Sequence, residues 1–513
     1  MNKKIIIGSR GSDLALWQAN YVKDQLSKLQ LQSEISIIKT KGDLIKDLSF
    51  DKIEGKGFFT KEIEDALLNN SIDLAVHSHK DLETNPPKGL VVAAVSERED
   101  PSELLLIRKD RVVTNNFWSL KHGAVVGTSS SRRKSQLKLF RDDLFVKDLR
   151  GNVPTRIQKL RNREYDAIVI ASAGVLRLQL DITDLHSEKL PVKWFIPAPA
   201  QGVLGIQVRE TDSYLIKTLQ KINSPSTQRN IEFERKVLNL MDGGCQLPLG
   251  VYCEYENKSN KIWASMSSAD DEVPYRLYRE DCSPHEVVDQ LLLKNSKKQN
   301  IFITRELKKE SLFNKILTSK GHEIKGESLI EIEYLKTELP NSFDWLFFTS
   351  SNAVSSFKDH LSKIKACKIG AIGISTANEL LQNGFKVDFI GRSEPDKVAD
   401  DFACFIGDQK VLFPISDKSV RTIQKKLNSN QVLEIVTYKN KYQPKKLNKF
   451  DVLVFTSPSN VSSFFSINEI TNEKVIAIGS STEKALINNG VSNVLVSWEA
   501  SEIALADTIL SLS

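Results

Sequence analysis

Over the first two hundred residues, short β-branched or apolar runs alternate with stretches whose apolar positions recur at helical spacing. Ile5–Ile7, Ile35–Ile38, Leu74–Val76, Leu90–Val95, Ala124–Gly127 and Ala167–Ala171 predict strands, and Leu14–Leu29 and Lys61–Leu68 predict helices between them. Such alternation implies α/β sheets, whose ligands bind where the carboxyl ends of strands open into a crevice. Two α/β lobes facing a shared cleft are expected. Residues 213–296 change character. A helix around Ile231–Leu240, strands near Val251–Tyr255 and Ile262–Met266, and a helix around Val287–Leu293 predict a small α+β domain. The polar run Asn295–Asn300 then reads as a linker.

A second unit begins at Ile301 and contains an internal echo. Thr349–Phe357 (TSSNAVSSF) matches Thr456–Phe464 (TSPSNVSSF), and Ala371–Thr376 (AIGIST) matches Ala477–Thr482 (AIGSST). Each AIG segment leads into a helical pattern ending at Asn-Gly, Asn383-Gly384 and Asn489-Gly490. The nearly constant displacement predicts two similar α/β lobes.

Composition changes this picture only in places. The 513 residues exceed what one hydrophobic core supports, in line with several domains. No apolar stretch has the length needed to span a bilayer, and the three isoleucines near the start are too short for a signal peptide. The chain is therefore expected to be cytoplasmic. Five cysteines without a C-x-x-C pair suggest neither a disulfide framework nor a zinc ribbon. The net charge of +6 suits small polyanions as well as nucleic acid, so position must decide.

Position favours a small polyanion. In Val125–Gln136 (VVGTSSSRRKSQ), a strand runs into Ser129 and Ser130, natural N-caps, followed by Arg132 and Arg133. Leu149–Arg156 (LRGNVPTR) repeats the strand-turn-helix theme with Arg150 and Arg156, and Ile7–Leu16 does so with Arg10 and Ser12; Arg177 follows another strand. Single arginines are usually solvated surface charges, but several at such turns point to a cleft for a substrate with many carboxylates. No nucleic-acid module or interleaved aromatics accompany them.

Asp73–Asp81 (DLAVHSHKD) places Lys80 and Asp81 in a loop at the carboxyl end of a strand. There a carboxylate beside a cation stays ionised and can stabilise a developing positive charge. His77 and His79 lack a third ligand, so no metal is expected and both are read as hydrogen-bonded loop residues. In Gly243–Gly250 (GGCQLPLG), the paired glycines leave the Cys245 thiol approachable, although burial as a small apolar residue is the commoner fate of a free thiol.

Together these segments resemble the hydroxymethylbilane synthase (porphobilinogen deaminase) family, in order from about Lys4 to about Leu293. The match includes the Leu-Ala-Leu-Trp-Gln-Ala start, EGKGFFTKE, HSHKD, GTSSSRRKSQ, RGNVPTR, PAQG and GGCQLPLG. The resemblance implies an enzyme joining four porphobilinogen molecules with loss of ammonia, on a dipyrromethane cofactor carried by Cys245 through a thioether. It implies Asp81 as the catalytic carboxylate. Lys80, Ser129, Ser130, Arg132, Arg133, Arg150 and Arg156 would hold the cofactor, Arg10, Ser12 and Arg177 the substrate, and Lys56 and Phe59 would lie on a lid. No metal is implied. Four positions depart from the common pattern: His79 where methionine is frequent, Leu82-Glu83 in place of Val-Pro, and Asp13 where proline is frequent.

The region 299–513 is similar to uroporphyrinogen-III synthase in its IFITRE start, its FTSSNAV and FTSPSNV turns, GIST, Tyr438 and IGSST. That resemblance implies cyclisation of the bilane with inversion of the last ring, with Ser350, Ser351, Thr376, Tyr438, Ser481 and Thr482 as candidate contacts. N-capping is an equally good account of each hydroxyl. The expected partition is lobe 1 at 1–97 and 198–212, lobe 2 at 98–197, an α+β cofactor-anchoring domain at 213–296, and two further lobes at about 299–333 with 443–513 and about 336–440. A monomer acting on small molecules is expected, without nucleic acid or membrane. Two rivals remain: an inactive or regulatory C-terminal appendage, and a small-anion binding protein, the latter disfavoured by the lack of a signal peptide.

Overall fold

In a computed structural model, residues 4–40, 60–113, 117–242, 247–269, 272–292, 297–308, 310–361, 367–391 and 395–512 are described. The chain is an α/β multidomain protein. It divides into one unit of Met1–Lys297, Lys315–Lys320 and Ala506–Ser513, and a second of Lys298–Asn314 and Gly321–Leu505.

The first unit begins with ten strands: β1 (Ile5–Ser9), β2 (Ser33–Ile37), β3 (Leu74–Ser78), β4 (Leu90–Val95), β5 (Glu103–Arg108), β6 (Val125–Gly127), β7 (Phe145–Lys147), β8 (Ala167–Ala171), β9 (Leu185–Leu190) and β10 (Leu204–Arg209). They form two five-stranded sheets, ordered β2-β1-β3-β10-β4 and β7-β6-β8-β5-β9. β1 runs parallel to β2 and β3, and β6 parallel to β7 and β8, whereas β10 and β5 are antiparallel to their neighbours. The helix Asp13–Lys28 packs Ala19, Val22 and Leu26 onto Ile5, Ile7, Leu74 and Val76 of the first sheet. Loops leaving β3, β6, β7 and β8 at their carboxyl ends carry most of the candidate chemistry.

The pattern of apolar positions misses β5, β7, β9 and β10. β9 (LHSEKL) is an edge strand that alternates buried and exposed positions, and β5 opens on the charged Glu103, itself fully buried.

A three-stranded antiparallel sheet follows, β11 (Leu249–Glu256), β12 (Ser259–Met266) and β13 (Tyr275–Glu280), covered by the helices Pro225–Leu240 and Pro284–Leu292. Glu234, fully buried, fixes the first helix by accepting two bonds from Arg98 (2.7 and 3.1 Å), one from Ala200 N (2.7 Å) and one from Cys253 N (3.0 Å). β13 is an edge strand, and its edge is occupied by the segment Ala506–Ser513 of the same unit. Arg276, with no exposed surface, donates Nε and Nη2 to the Asp507 carboxylate (2.9 and 3.0 Å) and its other N–H groups to the carbonyls of Trp194 and Lys193 (2.7 and 2.9 Å). Ser511 Oγ donates to Tyr278 O and accepts from Tyr278 N, while Tyr275 OH and Gln290 Nε2 donate to Leu510 O.

The second unit holds two sheets. One is five-stranded and parallel: Glu323–Gly326, Asn300–Ile303, Val452–Phe455, Lys474–Ala477 and Val494–Val496, in that order. The other is six-stranded: Ile330–Tyr334, Val432–Tyr442, Val411–Ser416, Trp345–Phe348, Lys368–Ala371 and Phe389–Ile390. The sequence echo is structural. Ser350 and Ser457 occupy equivalent N-caps with φ/ψ of −163/157 and −163/155, each accepting from the backbone N–H three residues on. Gly373 and Gly479 likewise cap the helices Ile374–Gln382 and Ser480–Asn488 in extended conformation. Gly384 and Gly490, which close these helices, take φ of 83° and 88°, a region that glycine adopts without steric cost.

Candidate active site

β3 is buried through Leu74–Val76, and a single 3₁₀ turn over His79–Asp81 brings Lys80 and Asp81 out of the sheet. Asp81 is exposed; Lys80 is half-buried and donates Nζ to Gln201 Oε1 at 3.2 Å. Burial pulls the Lys80 ammonium below its usual range, opposed by the Asp81 carboxylate and reinforced by Arg133. Gln201, fully buried, is held by donating Nε2 to Pro101 O (2.8 Å). The next residue, Gly202, has φ +87°, and a Cβ there would lie 2.2 Å from Glu99 O, so the PAQG turn admits only glycine at this point.

Arg132 and Arg133, on the helix Ser131–Phe140, are both buried and share one carboxylate. Arg132 Nη2 donates to Glu103 Oε1 at 2.5 Å and Arg133 Nη2 to Glu103 Oε2 at 2.7 Å. Their Nη1 atoms donate to Ile196 O (2.8 Å) and Val169 O (3.0 Å). Burial opposes ionisation of Glu103, but Arg133 and Arg132 overcome it and hold the carboxyl well below the usual range. Arg156, behind the Asn152 cap, donates Nε to Gly151 O (2.8 Å) and makes no ion pair within 4 Å among the described residues. Burial, with repulsion from Arg133, lowers it to about 10 against the attraction of Asp81 and Glu103. Lys80, Asp81, Glu103, Arg132, Arg133 and Arg156 thus form one electrostatic cluster in which four cations face two carboxylates. A partly desolvated cluster with more cations than carboxylates among the described residues suits polycarboxylates.

The other predicted residues fall as follows. Arg177 is buried, donates Nη2 to Gly202 O at 2.6 Å and lies over the Trp17 ring at 5.6 Å. Ser12 caps the helix Asp13–Lys28, its Oγ accepting from Ala15 N. Arg10 is half-buried and close enough to His77 to disfavour protonation of that ring. Arg150 is half-buried beside Gly151, which adopts φ +112°. Lys56, Phe59 and Cys245 lie outside the described residues.

Two expectations need correction. Neither Ser129 nor Ser130 caps the following helix through its side chain. Ser130 occupies the cap position without a side-chain bond, and Ser129 Oγ instead donates to Leu149 O (3.0 Å) and accepts from Leu149 N (2.9 Å), joining two loops. His77, expected in the loop, lies within β3, and His79, which opens the 3₁₀ turn, has no hydrogen-bond partner for its Nδ1 among the described residues. Burial pushes His77 down to about 4 and His79 to about 3, so both are neutral. Glu103 and Gln201 escaped the sequence reading. PAQG and the acidic residue just before the apolar run Leu104–Ile107 were the available signals.

In the second unit, Ser350 Oγ and Tyr438 OH meet at 3.1 Å, and burial raises the Tyr438 phenol. Ser351 is half-buried beside the cap and Thr376 is buried on the helix Ile374–Gln382. Ser481 is exposed and Thr482 buried at the matching helix start of the other sheet. Ser350 thus both caps its helix and contacts Tyr438.

Residues 5–217 match the family model "Porphobilinogen deaminase, dipyromethane cofactor binding domain" and residues 229–279 match "Porphobilinogen deaminase, C-terminal domain". A porphobilinogen deaminase of Francisella tularensis subsp. novicida (strain U112) is 44% identical over 269 residues, which are 52% of this chain and 88% of that protein. The chain belongs to the porphobilinogen deaminase family. The deaminase of F. tularensis subsp. tularensis (strain WY96-3418) is 43% identical over the same shares. Residues 311–507 match "Uroporphyrinogen-III synthase HemD", so the chain is a fusion of two tetrapyrrole-biosynthesis enzyme families, a transferase and a lyase. Among solved structures it is similar to a uroporphyrinogen-III synthetase of Helicobacter pylori 26695 (23% identity, TM-score 0.33, 42% of this chain, 100% of that one). It is also similar to a mutant uroporphyrinogen III synthase of Thermus thermophilus (14%, 0.29, 40% and 95%). The residues present fit dipyrromethane, a polycarboxylate, because Arg156 has no acidic partner among the described residues and the cluster around Asp81 carries surplus positive charge. Among the described residues no helix is long and apolar enough to cross a membrane.

Proposed function

We propose that the first unit condenses four porphobilinogen molecules, with Asp81 as the catalytic carboxylate. The observation that carries this reading is the cation-rich cluster closing around Asp81. Dipyrromethane, when bound, supplies the nucleophilic pyrrole that primes the growing chain. Lys80, Arg132, Arg133, Arg150 and Arg156 bind its carboxylates, with Ser129 and Ser130 shaping the loop beside them. Arg10, Ser12 and Arg177 receive the incoming substrate, and Lys56 and Phe59 belong to a lid. As ammonia leaves, the exposed Asp81 carboxylate stabilises positive charge developing on the substrate pyrrole. Cys245 anchors the cofactor. Burial pushes the Cys253 and Cys282 thiols up to about 12 and about 11, which makes them poor thiolates and supports a role for another cysteine.

The second unit cyclises the product, using the hydroxyls of Ser350, Ser351, Thr376, Tyr438, Ser481 and Thr482; the contact between Ser350 and Tyr438 supports a polar site there. The reading includes the partition 1–97 with 198–212, 98–197, 213–296 and 299–513, with lobes at about 299–333 with 443–513 and about 336–440, in a cytoplasmic monomer. Incubating the full chain with porphobilinogen alone, oxidising the products and separating the uroporphyrin isomers tests both halves. Mainly isomer III is expected. Isomer I alone would remove the cyclase assignment, and no porphyrin from folded protein would remove both.

A further inference from the structure

The helices Asp13–Lys28 and Ser172–Arg177 wall an open cavity of about 410 Å³ lined by Asp13, Leu16, Trp17, Asn20, Arg177 and Gln179. Two features of its lining are unusual. Arg177 is only 7% exposed, yet among the described residues it has no carboxylate within ion-pair distance and makes a single hydrogen bond, Nη2 to Gly202 O at 2.6 Å. The Trp17 ring, 5.6 Å from its Cζ and stacked in turn on Tyr21, fixes the guanidinium in place and leaves its remaining N–H groups for a ligand. Burial lowers Arg177 to about 10 against the more distant attraction of Glu99, a cost that a carboxylate bound at ion-pair distance would relieve. On the same wall Asp13 is exposed and, among the described residues, in no ion pair with Arg177 or with any other cation. One cavity therefore offers a buried, unmatched cation and a separate, unmatched carboxylate. That combination selects a zwitterion over a simple anion.

We propose that this cavity docks the incoming pyrrole before condensation, Arg177 taking a ring carboxylate and Asp13 the protonated aminomethyl group. The inference rests on the deaminase reading and adds to it a specificity-determining acid. Porphobilinogen carries both signs: two carboxylates, and an alkylamine that is protonated at neutral pH, as lysine is. Asp13 thus recognises the group that later departs as ammonia, and does so before the reaction. The Asp13 carboxylate also faces the positive end of its own helix, a structural role that would not depend on the substrate's charge.

The test compares two substrates on the full, cofactor-loaded chain. One is porphobilinogen; the other is its analogue with hydroxymethyl in place of aminomethyl, measured as substrate and as competitive inhibitor. In Asp13→Asn, kcat/KM for porphobilinogen is expected to fall about two- to fivefold, the range of a solvent-accessible ion pair, mainly through KM. The neutral analogue should bind the variant and the unaltered chain equally, and the difference for porphobilinogen should shrink at high ionic strength. Equal losses for both substrates would assign Asp13 to its helix alone and overturn the proposal, as would no loss for either. An unaltered chain that turned over neither substrate would refute the deaminase reading, and the docking proposal with it.

Discussion

Glu103 offers a sharp test of how the site is held together. Its carboxylate has no exposed surface and is shared by Arg132 at 2.5 Å and Arg133 at 2.7 Å. Glutamine in its place is nearly isosteric but removes the charge that both guanidiniums contact. Removing one partner of a buried ion pair costs about 3–5 kcal/mol. The amide oxygen retains one acceptor, worth about 1 kcal/mol, so Glu103→Gln is expected to lose about 2–4 kcal/mol. For a unit of this size that corresponds to roughly 3–6 °C in Tm.

The pH dependence follows from the sign of the shift. The folded-state carboxyl lies below its usual range, so the contribution is complete above the unfolded value of about 4.3 and is lost as pH falls below it. The gap between the two proteins should be flat from pH 5 to 8 and close in acid. Urea unfolding followed by tryptophan fluorescence measures the gap, and intact mass measures dipyrromethane loading, which should fall because Arg132 and Arg133 lose their orientation. A variant with an unchanged midpoint and full loading would show that backbone carbonyls alone position the two arginines, and the reasoning would be wrong.

Other expectations are simpler. Asp81→Asn should lower kcat by about 100-fold or more while cofactor stays attached; a variant keeping most of its rate would remove the assigned role. Cys245→Ser should purify without the mass of bound dipyrromethane, and normal loading would end the anchor assignment. His79→Met should make the protein more acid-tolerant. The folded His79 value, about 3, lies below the unfolded value of about 6.5, so stability falls by about 1.4 kcal/mol per pH unit as pH drops between them. Identical acid midpoints for the two proteins would show that His79 does not titrate in this way.

Local chemistry was the legible part of this sequence. Gly151, the Asn152 cap and Pro154 announce a turn into a helix within six residues, and the arginines around them come along. The echo at Ser350 and Ser457 was readable for the same reason, because a cap is specified by a few neighbouring residues. What stayed hidden depends on partners distant in the chain. Glu103 looks like an ordinary strand-end acid until two arginines about thirty residues later fold onto it. Gln201 gains its place from Lys80, 121 residues earlier. Ser129 has the residue type of a cap, but Leu149, twenty residues later, takes both the donor and the acceptor of its hydroxyl.

The pairing of Arg276 with Asp507 spans 231 residues, and this distance has a consequence in time. A ribosome extending the chain at about 5–20 residues per second needs on the order of ten to fifty seconds to travel from one to the other. Throughout that interval the arginine lacks its acid and the edge of β13 lacks Ser511. The fold of the deaminase-family half is therefore completed only when translation of the synthase-family half is nearly done. Chains abandoned midway would present an open strand edge and a stranded charge, features by which chaperones and proteases recognise unfinished protein. Completion of the first catalyst is thereby tied to synthesis of the second.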